Sequence, residues 1–261
     1  MKQLINRFLK AKPYPTPALP DNTRIYCIGD IHGRHDLLVK LLSQIEQDAA
    51  GFSGRVIMIY LGDYIDRGMQ SREVIEELLR KRPGIEYVYL RGNHEQTMLD
   101  FLHEASVGRA WLTYGGQATL AGYNACDAKI PSKREDFIAM QQRLLENLPR
   151  THFQFLNDTL FSYSLGSYFF VHAGIDPGLP LSRQRPESML WIRHQFVSVK
   201  KPHEKIIVHG HTITDKPELL PNRIGIDTGA YASGILTCLV LQGDRQRLIQ
   251  TQAVNRLRAS R

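Results

Sequence analysis

The chain has 261 residues, three cysteines and a formal net charge of +7. Hydrophobic residues make up 43% and charged residues 23%, the balance of a globular enzyme rather than of a disordered or fibrous chain. No apolar run approaches the ~20 residues of a membrane span, so no transmembrane segment is expected, and no membrane partner is expected either. The basic residues are spread along the chain, and only Arg256, Arg258 and Arg261 cluster. That spread argues against a nucleic-acid partner and suits an enzyme for anionic phosphate substrates.

In chain order, Leu4, Ile5, Phe8 and Leu9 alternate with Lys2, Arg7 and Lys10 as a short amphipathic helix or arm, too brief for a signal peptide. Pro13, Pro15, Pro17 and Pro20 then form an extended linker, so residues 1–22 are expected to be an N-terminal arm. A catalytic domain is expected over 23–250, followed by a basic tail over 251–261.

The pattern becomes α/β from residue 24. Residues 24–28 predict a strand, and 36–50 a helix with Leu37, Leu38, Leu41, Leu42 and Ile45 on one face. Residues 55–61 predict a buried strand. Ser71 is placed to cap a helix running to about 82, and 85–90 predict a third strand. Three strand–loop–helix units in a row imply parallel strands.

Residues 95–157 read as mostly helical, an insert interrupted at Gly115-Gly116 and Pro131. Short apolar strands follow at 160–164, 168–172, 206–208, 223–226 and 235–241, with a helix near 187–197. The sheet is expected to become mixed, with a second sheet packed on the first. Cys27 and Cys238 lie in apolar strand-like runs and Cys126 stands apart, with no Cys-x-x-Cys. Buried free thiols suit a reducing cytoplasm, the expected location.

The chemistry-bearing residues fall where strands end. Gly29-Asp30-Ile31-His32-Gly33 follows the first strand, Gly62-Asp63-Tyr64-Ile65-Asp66-Arg67-Gly68 the second, and Gly92-Asn93-His94-Glu95 the third. Val171-His172-Ala173-Gly174, Gly210-His211-Thr212 and Asp227-Thr228-Gly229-Ala230 end later strands. Ligands of open α/β sheets bind at that edge. Any one motif is weak, because a lone Asp or His in a loop is commonly a cap or a surface residue. Six in one order point to a single site. Two Asp, one Asn and several neutral His form a donor set for Mn²⁺, Fe or Zn²⁺ rather than Ca²⁺. A carboxylate shared by two such ions would hold them ~3.5–4 Å apart, the spacing for in-line phosphoryl displacement.

Together the six motifs resemble the metallophosphoesterases, and more narrowly the bacterial and phage branch of the phosphoprotein phosphatase family of serine/threonine phosphatases. Arg91-Gly-Asn-His-Glu-Gln, Trp111-Leu-x-x-Gly-Gly and Trp191-Ile-Arg193 extend the likeness, which covers about 24–242. The resemblance implies an α/β, calcineurin-like fold of two packed mixed β-sheets flanked by helices, with a helical insert. It implies two divalent metal ions, most suitably Mn²⁺ with Fe or Zn²⁺ as substitutes. Asp30 and His32 would hold the first, Asp63 would bridge both, and Asn93, His172 and His211 would hold the second.

By the same resemblance His94 is the general acid, oriented by Asp66, while Arg67 and Arg193, with Asn93, hold the substrate phosphate. The implied activity is hydrolysis of phosphomonoesters, phosphoserine and phosphothreonine with phosphotyrosine also in range, by a metal-bridging water. The alternative is a dinucleoside tetraphosphate or nucleotide pyrophosphate hydrolase. The symmetric tetraphosphatase shares fold and metals but usually lacks the Asp at position 66 and has Asp in place of Glu95. A binding scaffold on an inactive fold is the non-enzyme alternative, and the complete ligand set argues against it. Glu95 is expected behind the site, and Trp191 is expected to pack so as to place Arg193. His35, His103, His152, His194, His203 and His209 receive no role.

Overall fold

A computed structural model describes residues 13–126 and 131–252. The amphipathic run at the N-terminus and the arginine cluster at the C-terminus lie outside these residues. The proline-rich stretch from Pro13 to Pro20 has no regular secondary structure.

Strand β1 (Thr23–Ile28) leads through α1 (His35–Ala49) to β2 (Arg55–Tyr60), and through α2 (Ser71–Leu79) to β3 (Ile85–Tyr89). These three strands are parallel. β9 (Thr237–Gln242) joins the other edge of β1 antiparallel, and β10 (Arg245–Gln250) pairs with β9. The first sheet therefore runs β10-β9-β1-β2-β3. The second contains β4 (Ser162–Leu165), β5 (Tyr168–Val171), β6 (Ile206–His209), β7 (Glu218–Leu219) and β8 (Arg223–Gly225), in the order β4-β5-β6-β8-β7. Its central strands β5, β6 and β8 are parallel.

The inner strands β1, β2 and β9 of the first sheet are largely apolar on both faces because both faces are covered. Alternation sorts their side chains. Ile25, Cys27, Ile57, Ile59, Leu239 and Leu241 turn toward Tyr168, Phe170, Ile206, Val208 and Ile224 of the second sheet. Tyr26, Ile28, Met58, Tyr60, Cys238 and Val240 turn toward α1 and α2. The outer face of the second sheet, Phe169, Val171 and Ile207, is covered by Met189 and Phe196. Two mixed sheets thus lie between helical layers, as expected. Cys27 and Cys238 are buried free thiols on opposite faces of the first sheet.

Between β3 and β4 the chain forms α3 (Asn93–His103), a single 3₁₀ turn, α4 (Gly108–Thr113), α5 (Gly116–Gly122), α6 (Arg134–Asn147) and α7 (Arg150–Asn157). Three boundaries differ from expectation. The helix expected over 187–197 is two short ones, α8 (Pro186–Trp191) and α9 (His194–Val197), broken where Ile192 turns extended and Arg193 takes φ −130° and ψ −105°. Ser71 is not a cap: Gln70 occupies that position, and α2 ends at Leu79. β7 and β10 were not anticipated. Glu218–Leu219 is too short for a period to show, and Arg245–Gln250 carries mostly polar residues at the sheet edge.

Candidate active site

The carboxyl ends of the six parallel strands, β1, β2, β3, β5, β6 and β8, converge on one cleft. His172 ties the sheets together there, its Nδ1–H donating to the Leu61 carbonyl at 2.9 Å across the inter-sheet gap. The loops are strained to reach it. Among the described residues seven non-glycine residues have positive φ, and five are His32, Asp63, Asp66, Arg67 and His211. Such backbone costs of order 1–3 kcal/mol per residue and persists where its surroundings over-determine it.

Asp63 is the centre. Its Oδ2 lies 3.4 Å from His32 Nε2 and 3.8 Å from His94 Nε2, while its Oδ1 lies 3.4 Å from His172 Nε2. Two triads of donor atoms result, His32–Asp63–His94 and Asp63–His172–His211, each within 4.8 Å and sharing Asp63. The atoms face one another with too few protons. His32 donates its Nδ1–H to the Ile65 carbonyl at 2.9 Å, so its Nε2 turns a lone pair toward Asp63. His172 Nε2, likewise a lone pair, has Asn93 Oδ1 at 3.0 Å and Asp63 Oδ1 at 3.4 Å, both able only to accept. Buried acceptors crowded in this way repel unless a cation stands among them. Burial pushes His32 down to about 3, His211 down to about 2 and His172 below its ordinary value. All three are neutral at pH 7, the form that ligates metals.

Asp30 stands beside these triads. Its carboxylate accepts the His211 backbone N–H at 3.0 Å and meets the Asp227 carboxyl. Burial, then Asp227, then Asp63 hold Asp30 well above the usual carboxylate range. Burial pushes Asp227 up to about 6. The Asp227 motif was legible as a strand end, but the carboxyl pair it makes with a residue 197 positions away was not.

His94 differs from the other imidazoles. Its Nδ1–H donates to Asp66 Oδ2 at 2.7 Å, and Arg67 Nη2 approaches its Nε2 to 3.3 Å. Burial works against its charge, but Asp63 and Asp66 outweigh that and hold it above its ordinary value. Asp66 is itself clamped by Trp111 Nε1–H on Oδ2 at 2.8 Å and by the Thr119 hydroxyl on Oδ1 at 2.5 Å. The Ser71 hydroxyl, freed from capping, accepts the Asp66 N–H at 3.0 Å. Thr119 bore no sequence signal, and the signal at Ser71 pointed to a helix cap rather than to Asp66. Glu95 lies behind the site as expected, accepting the N–H groups of Gly92, Asp63 and Tyr64 at 2.8 Å each. Two glycines are obligatory here: a Cβ on Gly92 would sit 2.1 Å from Asp63 Oδ1, and Gly115, at φ +102°, would strike Arg67.

The arginines flank the cleft. Arg67 lies over the Tyr231 ring at 4.6 Å, and Arg193 donates to the His211 carbonyl at 3.0 Å. Trp191 reaches across the site from α8. It is 39% exposed, and its ring meets those of His211 and Tyr114. His209 stays outside the donor set. It is buried against Phe196, its Nδ1–H on the Gly210 carbonyl and its Nε2 facing Arg223.

Residues 23–233 match the family model described as calcineurin-like phosphoesterase. The chain is 30% identical over 233 residues to a bis(5'-nucleosyl)-tetraphosphatase, the asymmetrical PrpE of Anoxybacillus flavithermus, covering 81% of this chain and 88% of that protein. It is 28% identical over 220 residues to serine/threonine-protein phosphatase 2 of Salmonella typhimurium, covering 82% and 90% respectively. The cold-active protein-tyrosine phosphatase of a psychrophilic Shewanella shares the fold, with a TM-score of 0.54 over 91% of this chain and 83% of that one, at 19% identity.

Proposed function

The chain belongs to the calcineurin-like phosphoesterase family, a family of hydrolases that use divalent metal ions, and from that premise we propose that it is a phosphomonoesterase of the protein-phosphatase type. Its substrates on this reading are phosphoserine and phosphothreonine, with phosphotyrosine in range. The observation that carries the reading is the His94–Asp66 pair, a buried imidazole held toward its charged form and aimed by Nε2 at the centre of the cleft. An alkoxide is a poor leaving group, and a positioned acid accelerates its departure ~10²–10⁴-fold.

The remaining residues take complementary roles. Asp30 and His32 would hold one metal, Asn93, His172 and His211 the other, and Asp63 both, since its Oδ2 faces His32 and its Oδ1 faces His172. The oxygen and imidazole mixture suits manganese, with iron or zinc as substitutes. The metals would supply an acidified water and neutralise charge gathering on the phosphoryl oxygens. Arg67 and Arg193 orient those oxygens with paired N–H donors. Asp66 fixes the His94 tautomer, and His94 delivers the proton from Nε2 to the departing oxygen.

A second reading, hydrolysis of dinucleoside tetraphosphates, is favoured by the name of the PrpE relative. It would use the same metals on a phosphoanhydride, whose leaving group needs less protonation. Manganese-loaded protein assayed for kcat/KM on a phosphoserine peptide, a phosphotyrosine peptide and a dinucleoside tetraphosphate separates the two. Tenfold or greater preference for the peptides is expected. The reverse preference would replace the first reading with the second.

A further inference from the structure

The mouth of the cleft carries large aromatic rings that the metal and phosphate residues do not require. Tyr114, on the turn after α4, is 43% exposed, with its ring 6.3 Å from that of His94. Trp191, the last residue of α8, is 39% exposed and 6.4 Å from His211. The two rings lie 6.0 Å apart and tilted by 53°, so they form one continuous surface from the acid to the metal ligand. Side chains of this size stay exposed next to a reaction centre at the expense of burial they could otherwise gain. The rings thus stand beside His94 on one side and His211 on the other.

We propose that Tyr114 and Trp191 form a wall that receives the aromatic ring of an aryl phosphomonoester, and that phosphotyrosine within a peptide is its preferred occupant. The proposal rests on the phosphomonoesterase reading and narrows it. In an aryl ester the ring is bonded to the very oxygen that His94 protonates, which brings its centre ~3 Å from that oxygen. With Tyr114 6.3 Å from His94, a ring so placed can approach the Tyr114–Trp191 surface, where aromatic pairs prefer a spacing of ~4.5–7 Å. A serine methylene presents no face to it. A nucleobase is separated from a scissile phosphate by its ribose and further phosphates, which carries it past a wall this close to the ligands. Charge points the same way. Trp191 also lines a separate neighbouring pocket of about 490 Å³ with Asp176 and Glu187, whose carboxylates disfavour a polyphosphate tail there.

The reaction balances as an ordinary hydrolysis. An oxygen–phosphorus bond forms to water, the bond from phosphorus to the phenolic oxygen breaks, and that oxygen takes the His94 proton. Tyrosine and inorganic phosphate leave, and the proton lost by water returns to His94 through solvent.

The test compares kcat/KM for phosphotyrosine and phosphoserine forms of one peptide on manganese-loaded protein. Tyr114→Leu and Trp191→Leu should each lower the tyrosine-to-serine ratio about 3- to 10-fold, chiefly through KM, and Tyr114→Phe and Trp191→Phe should retain it. The ratio is internal to each variant, so a loss of folded enzyme cancels. An unchanged ratio in both leucine variants overturns the wall. So does a leucine variant that loses dinucleoside tetraphosphate turnover while keeping the ratio, because the wall then serves a base. If the parent protein cleaves neither peptide, the phosphomonoesterase reading itself fails.

A binding measurement stands beside the kinetics. The chain has two tryptophans, and Trp111 is fully buried. Benzylphosphonate should therefore change the Trp191 emission, ethylphosphonate at equal inhibition should not, and Trp191→Phe should abolish the difference. Equal responses to both phosphonates would count against the proposal.

Discussion

At the scale of single residues, one imidazole is set apart from three others by its neighbours. His32, His172 and His211 donate to backbone carbonyls or lie among acceptors, and burial leaves them neutral. His94 donates to a carboxylate and gains affinity for its proton. His94→Asn is expected to retain metal and to lower kcat ~10²–10⁴-fold on phosphoserine peptides, with a smaller loss on esters that have acidic leaving groups. Equal losses on both would remove the acid role. Asp66→Asn withdraws one of the two negative charges that raise His94, the other being Asp63, so its pKa falls. Activity that needs the protonated form is lost as pH rises through that pKa, so the alkaline limb of the pH–kcat profile should move to lower pH. A limb that stays in place would show that Asp66 does not govern the proton.

At the scale of elements, the helices between β3 and β4 build part of the site rather than decorate it. Trp111 of α4 and Thr119 of α5 clamp Asp66, and the Gly115 carbonyl accepts the Arg67 N–H at 3.1 Å. Trp111→Phe leaves Asp66 with one donor fewer in a fully buried place, a cost of about 1–3 kcal/mol. A lower urea midpoint is expected together with reduced kcat and unchanged metal content. Full kcat would mean that the clamp is only structural. The strand ends and the metal-type residues were legible in the sequence because each motif is a short local pattern after an apolar run. The clamp was not, because Thr119 and Ser71 are ordinary helix residues until folding brings them to Asp66. The ring contacts of Trp191 with Tyr114 and His211 were hidden for a related reason: in the chain Trp191 simply precedes Arg193, and contacts across the fold cannot be read from adjacency.

At the scale of the whole molecule, two sheets packed face to face bring their strand ends to a point crowded with acceptors, so metal and fold are linked. Chelator-treated protein should be inactive and revived best by manganese. Metal at 100-fold over its Kd contributes ~2.7 kcal/mol of stability per site, about 5–10 °C in Tm for a chain of this size. A Tm indifferent to chelator would argue against metal at these residues. Acid should weaken the metal-free fold. His32, His172, His209 and His211 have depressed folded pKa values, so below about 6.5 the unfolded chain takes up their protons more readily. Asp30, Glu95, Asp227 and His94, raised in the fold, oppose this over the same range, but they are four against six once His152 and His203, also depressed, are counted. The urea midpoint should fall between pH 7 and 5.5, and a rise would contradict the burial of these histidines as neutral groups. The sequence by itself determined the parallel β1–β3 core, the donor types and their place at strand ends, because these depend on short-range periodicity and composition. Only the tertiary structure decided that Asp63 faces two triads, that Asp30 leans on Asp227, and that an aromatic wall stands beside His94 and His211. Those are distances between segments far apart in the chain, and they exist only once the two sheets are packed.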